Sequence, residues 1–186
     1  MQERLTAIEK PQGLMMRLLY AFSRKQFGKV LTPLKLVYSK LPIAFASWSQ
    51  KISKLEKQLT LDPMLVLMLR THIAHINTCT FCIDISRAHA MKQFTDQRKF
   101  AELNHYETSR LYSAGERSAL RLATELTEDH KISDATYSEA SRHFSEKELI
   151  EIAWVVTSEH VYNLMNVAFN IESDNLCALP GAMASA

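Results

Sequence analysis

Helix-start signals recur along this chain, and each is followed by apolar residues spaced three and four apart. Asp62-Pro63 precedes the largely apolar run 64–76, where only Arg70, His72 and His75 interrupt. An aspartate carboxylate accepts the first free amides of a helix, and proline presets its first turn. The apolar residues leave that run few polar sides, which predicts a largely buried helix. Ser113-Ala-Gly-Glu116 and Ser145-Glu-Lys-Glu148 are capping-box patterns. The first precedes Leu120, Ala123 and Leu126; the second opens a long helix through Ile152, Val155, Val156, Leu164 and Ala168. Residues 14–27 repeat apolar residues at helical spacing, and Thr32-Pro33 and Pro42 start two further runs. Thr78 is read as the cap of a helix through Phe81, Ile85 and Met91, Thr95-Asp96 as the start of a short polar helix, and Ser133 as the cap of a helix reaching His143. No segment alternates as a strand does. With 4 Gly and 5 Pro in 186 residues, the tight turns of an all-β chain are out of reach. The expected fold is all-α.

Charge divides the chain. Residues 1–60 carry 11 Lys/Arg against 3 Asp/Glu, while residues 61–186 carry 11 against 17. The basic residues are spread out rather than clustered, so no nucleic acid partner is expected. The expected organisation is a basic helical N-terminal extension over 1–60 packing on a helical core over 61–180, followed by a flexible tail at 181–186. No stretch approaches the ~20 apolar residues of a membrane span. The apolar segment 14–22 is short and broken by Arg17, which makes it a poor signal core. A cytoplasmic protein without a membrane partner is expected.

Three cysteines are too few for a disulfide scaffold, but Cys79-Thr-Phe-Cys82 places two thiols one helical turn apart. The pair sits where one helix ends and the next begins. Free amides at a helix N-terminus favour a thiolate, the reactive form of cysteine, and on this ground Cys79 is the more acidic thiol. Two thiols so spaced can cycle between dithiol and disulfide. A zinc site would add His75 or His89 to the two cysteines, but no second close ligand pair accompanies them. No metal and no cofactor is expected, and no Gly-rich phosphate loop is present. Cys177, alone near the C-terminus, reads as a bystander.

Residues 64–91, with Asn77-Thr-Cys-Thr-Phe-Cys-Ile-Asp84, resemble the core motif of the carboxymuconolactone decarboxylase and alkylhydroperoxidase-D-like family. Asn166-Val-Ala-Phe-Asn-Ile-Glu-Ser-Asp174 and Leu176-Cys-Ala-Leu179 resemble the C-terminal part of its peroxidase-related branch. The resemblance implies an all-helical, multi-helix, homo-oligomeric antioxidant protein whose cysteine pair reduces a peroxide or disulfide substrate and is recharged by a dithiol reductant. By the family's order, Cys82 attacks the peroxide and becomes a sulfenic acid, which Cys79 resolves. The family's redox members carry a Glu and a His that activate the second cysteine; the matching positions here hold Leu67 and Ser86. Ser86 can orient a thiol or peroxide by hydrogen bonding but is no base near neutral pH. His75, four residues before Cys79, and His89, seven after Cys82, are the candidate bases, with His160 beside Glu159 as a third approach. The expected catalytic set is Cys79, Cys82, Ser86, His75 and His89. The alternatives are a catalytically weak or inactive oligomeric binding protein of the same fold, and a decarboxylase or isomerase acting on a lactone.

Overall fold

A computed structural model describes residues 3–94 and 96–178. The expected flexible tail at 181–186, Leu179 of the C-terminal motif and Thr95 lie outside the described residues. The chain is all-α, and no strand occurs among the described residues. Its helices are α1 (Leu14–Phe27), α2 (Pro42–Glu56), α3 (Pro63–Ile76), α4 (Thr80–Gln93), α5 (Arg98–Ala101), α6 (Ala114–Glu128), α7 (Asp134–Ala140) and α8 (Glu146–Ala168). The run after Thr32-Pro33 forms a single π-helical turn, Leu34–Tyr38, rather than an extended helix. No helix among the described residues is long and apolar enough to cross a membrane.

Helix α3 is the hub, packing against α4, α6 and α8. The Asp62 carboxylate accepts the amides of Met64 and Leu65 at 2.8 and 3.1 Å, so α3 begins at Pro63. Met68, Leu69, Ile73 and Ala74 are all fully enclosed, which explains why the run is apolar on most sides. At ~25 cal/mol per Å², such burial is the main force holding the bundle together. Both capping boxes form: Ser113 and Glu116 at α6, Ser145 and Glu148 at α8.

The junction between α3 and α4 places the cysteines. Helix α3 ends with the Thr78 amide bonded to the His75 carbonyl at 3.1 Å and the Cys79 amide to the Ala74 carbonyl at 2.9 Å. This is the hydrogen-bond pattern of a Schellman ending, with Thr78 as the residue at positive φ (54°). The expected cap Thr78 is therefore spent on closing α3. Cys79 itself caps α4, its sulfur accepting the Cys82 amide at 3.3 Å.

Residues 29–32 and 173–177 are tied to each other and to α4. Asp84, on α4, accepts the Ser173 hydroxyl and the Leu176 and Cys177 amides at 2.8, 2.9 and 3.2 Å. Asp174 in turn takes the Thr32 amide and hydroxyl, both at 2.8 Å, and pairs with Lys29 at 2.6 Å. Glu151 of α8 accepts the Thr60 and Leu61 amides at 2.8 and 3.1 Å.

Candidate active site

Cys79 and Cys82 lie at disulfide-bonding distance, with their Cα atoms 5.2 Å apart. Both are buried among Leu36, Val37, Ala74, Phe81 and Ile171. Their environments differ in one respect: Cys82 lines a cavity of about 400 Å³, and Cys79 is not among its lining residues. Cys82 also receives a hydrogen bond from the side-chain amide of Asn166, Nδ2 to Sγ at 3.4 Å. A donor aimed at sulfur favours its anionic form.

The cavity is built from five parts of the chain. Helix α1 supplies Leu19, Phe22 and Phe27, and α2 with the segment before it supplies Tyr38 and Phe45, whose rings stack at 3.9 Å. Helix α3 contributes Leu67 and Arg70; α4 contributes Cys82, Ser86 and His89; α8 contributes Glu159, Tyr162 and Asn166. The wall is mostly apolar and aromatic, with a few polar groups converging on it, the usual build of a small-molecule site.

The predicted residues are divided between this cavity and other places. Ser86 lies one turn after Cys82 on α4, buried and on the cavity wall, as helical spacing requires. His89 reaches the same wall. Its ring stacks on Phe27 at 6.0 Å, and its buried Nε2 has no hydrogen-bond partner. Burial, then Lys92 and Arg70, lower its pKa, so the ring is held neutral. His75 is half-buried and is not among the cavity residues. Its pKa is lowered by burial and by Arg87. His160 points elsewhere, its Nε2 lying 3.2 Å from the Thr127 hydroxyl. Cys177 packs against Asp84, and burial with that carboxylate raises its thiol pKa to about 11, so it stays protonated. Among the described residues, no group of three or more His, Cys, Asp or Glu side chains could hold a metal ion.

Sequence reading passed over Glu159. The residue is 7% exposed and lies on the cavity wall. It accepts a hydrogen bond from Asn163 Nδ2 at 2.6 Å, and Asn163 Oδ1 accepts one from Asn77 at 3.1 Å, in the turn that carries Cys79. Burial raises the Glu159 pKa to about 7 against the pull of Arg70. The available signal was its position: Ile152, Val155, Val156, Glu159, Asn163 and Asn166 form one buried stripe of α8, and an acid within such a stripe is rarely idle.

No protein-family model matches the chain. It is 26% identical to the uncharacterized protein YnjA of Escherichia coli over 159 residues, 84% of this chain and 87% of that one. Solved structures share its fold. One is a Cys-to-Ala variant of the debrominase Bmp8 in complex with 2,3,4-tribromopyrrole, at TM-score 0.80 and 17% identity over 95% of this chain and 94% of that one. Another is an alkylhydroperoxidase AhpD core from Ralstonia eutropha, an uncharacterized peroxidase-related protein, at TM-score 0.75 and 15% identity over 91% and 90%.

Proposed function

We propose that this chain, which has the alkylhydroperoxidase-D-like fold, is a thiol–disulfide oxidoreductase that reduces a peroxide through Cys82 and Cys79. The observation that carries the reading is the asymmetry of the pair: Cys82 faces the cavity, and Cys79 stands behind it as the helix cap. A substrate in the cavity meets Cys82 first. Its sulfur attacks the peroxide and becomes a sulfenic acid, and Cys79, one turn away, closes the disulfide. A dithiol then returns both sulfurs to thiols. Ser86 offers a hydroxyl to orient the peroxide, and His89 a neutral imidazole on the same wall. We further propose that the protein works as a homo-oligomer in a reducing cytoplasm.

The test uses dithiol-reduced protein and cumene hydroperoxide. The expected result is peroxide consumption supported by dithiothreitol and lost in Cys82→Ser. Cys79→Ser should stop after one turnover, leaving a sulfenic acid that dimedone traps. Trapping at Cys79 in Cys82→Ser, with turnover retained, would reverse the order of the two thiols.

The aromatic wall favours a second reading in the same redox class. The likeness to a debrominase suggests a halogenated ring as substrate. Two electrons from the dithiol would then replace a carbon–halogen bond by carbon–hydrogen, with halide leaving and the disulfide formed. Bromide release from 2,3,4-tribromopyrrole by the reduced protein is the measurement. If neither peroxide nor bromopyrrole is turned over, the oxidoreductase reading fails and the binding-protein alternative stands.

A further inference from the structure

We propose that Glu159 is the proton carrier of the cavity, taking the proton of the Cys82 thiol and handing it to the group that leaves the substrate. The inference rests on the oxidoreductase reading and deepens it. Three observations carry it. First, Glu159 and Cys82 come from different helices, α8 and α4, and line the same cavity. Second, the carboxyl is buried without an ion pair among the described residues. The cation on the same wall, Arg70, is engaged with Glu56 of α2. A buried acid held by one neutral amide is costly to fold around, and such groups concentrate where acid–base chemistry occurs. Third, its position is fixed. Asn163 holds it, and Asn77, beside the cysteine turn, holds Asn163. Asn166, one turn further along the same face of α8, contacts the Cys82 sulfur.

The groups facing this carboxyl from the neighbouring elements set its affinity for protons. Burial raises it most, Glu56 of α2 raises it further, and Arg70 of α3 with Asn163 lowers it, leaving it at about 7. The phenols of Tyr38 and Tyr162 are pushed up by burial and keep their protons. His89 of α4 is pushed down and stays neutral. With a pKa of about 7, Glu159 is populated in both forms near neutral pH, which a carrier that first takes and then returns a proton requires.

The step balances. The Glu159 carboxylate takes the Cys82 proton. The thiolate sulfur bonds to one peroxide oxygen as the O–O bond breaks, and the departing alkoxide takes the proton from Glu159 and leaves as alcohol. The peroxide gains two electrons and Cys82 becomes a sulfenic acid. Cys79 sulfur then displaces the hydroxyl from Cys82, and with the Cys79 proton it leaves as water.

The experiment compares wild type, Glu159→Gln and Glu159→Asp, all dithiol-reduced. Two rates are followed against pH: oxidation of Cys82 by cumene hydroperoxide and its alkylation by iodoacetamide. Glutamine keeps the acceptor that Asn163 needs and removes only the titration. Both wild-type profiles should show an inflection near the Glu159 pKa. Glu159→Gln should lose it in both and slow peroxide oxidation by about 100-fold, and Glu159→Asp should restore an inflection. Thermal unfolding of Glu159→Gln at or above the wild-type midpoint shows that the fold is intact. An inflection that survives Glu159→Gln and disappears in His89→Gln overturns the proposal and names the imidazole as carrier. If wild type consumes no peroxide, the oxidoreductase reading falls, and the alkylation profiles alone then decide whether Glu159 titrates against Cys82.

Discussion

Thr78 holds a backbone conformation that its side chain opposes. A β-branched residue at φ 54° crowds its own carbonyl, and its side chain is exposed. The α8 ending has the same hydrogen-bond pattern, the Ile171 amide to the Asn166 carbonyl at 3.0 Å and the Asn170 amide to Val167 at 3.2 Å, but puts an asparagine at the positive φ. Thr78→Asn should therefore raise stability by about 1 kcal/mol, read as a higher urea midpoint with an unchanged slope. An unchanged midpoint would show that the strain is relieved elsewhere. The same residue marks a limit of sequence reading. A threonine before a helix reads as a cap, and only the pairing of the Ala74 and His75 carbonyls reveals that it terminates the helix before. Glu159 was obscured for a related reason. Beside His160 it looks like surface charge, and its burial is set by α3 and α4, far away in the chain.

Helices were far more legible than the groups they bring together. Propensity, caps and apolar period are local, so α1, α2, α3 and both capping boxes stand where the residues predict them. The turn Leu34–Tyr38 was not legible as π-helical, because its geometry answers to its neighbours: Leu34, Leu36 and Val37 are drawn into two apolar clusters at once. Asp174 is the tie that sets this segment. It is buried, and its partners are Thr32 and Lys29. Asp174→Ala should leave the Thr32 amide without its acceptor and cost on the order of 2 kcal/mol. Limited trypsin digestion should then cut first at Arg24 and Lys25, with α3 to α8 protected. Cleavage spread evenly along the chain would instead show that the whole bundle depends on this tie.

The whole molecule carries titrating groups that oppose one another. His72 is enclosed between Thr124 and Tyr106, and burial lowers its pKa from 6.5 to about 4. The pKa values of His75, His89 and His160 are lowered as well. Each contributes stability above its ordinary value that is lost as pH falls, since the unfolded chain binds the proton more readily. Glu159 works in the other direction. Its folded pKa of about 7 lies above the ordinary 4.5, so its contribution is complete below 4.5 and lost as pH rises through 7. Glu159→Gln should be more stable than wild type at about pH 7.5, by on the order of 1 kcal/mol, and should lose more on acidification to about pH 5.5. Urea unfolding at the two pH values measures both; equal losses would place the carboxyl in water. The architecture also separates two inheritances. Cys82, Ser86, His89, Glu159 and Asn166 stand on α4 and α8, whereas most of the aromatic lining, Phe22, Phe27, Tyr38 and Phe45, comes from residues 22–45. Under the proposed oxidoreductase function, substitutions at Phe22, Phe27 and Phe45 would change which molecule reaches Cys82 while leaving both sulfurs in place, so descendants of this chain could trade one cargo for another by drift in that segment.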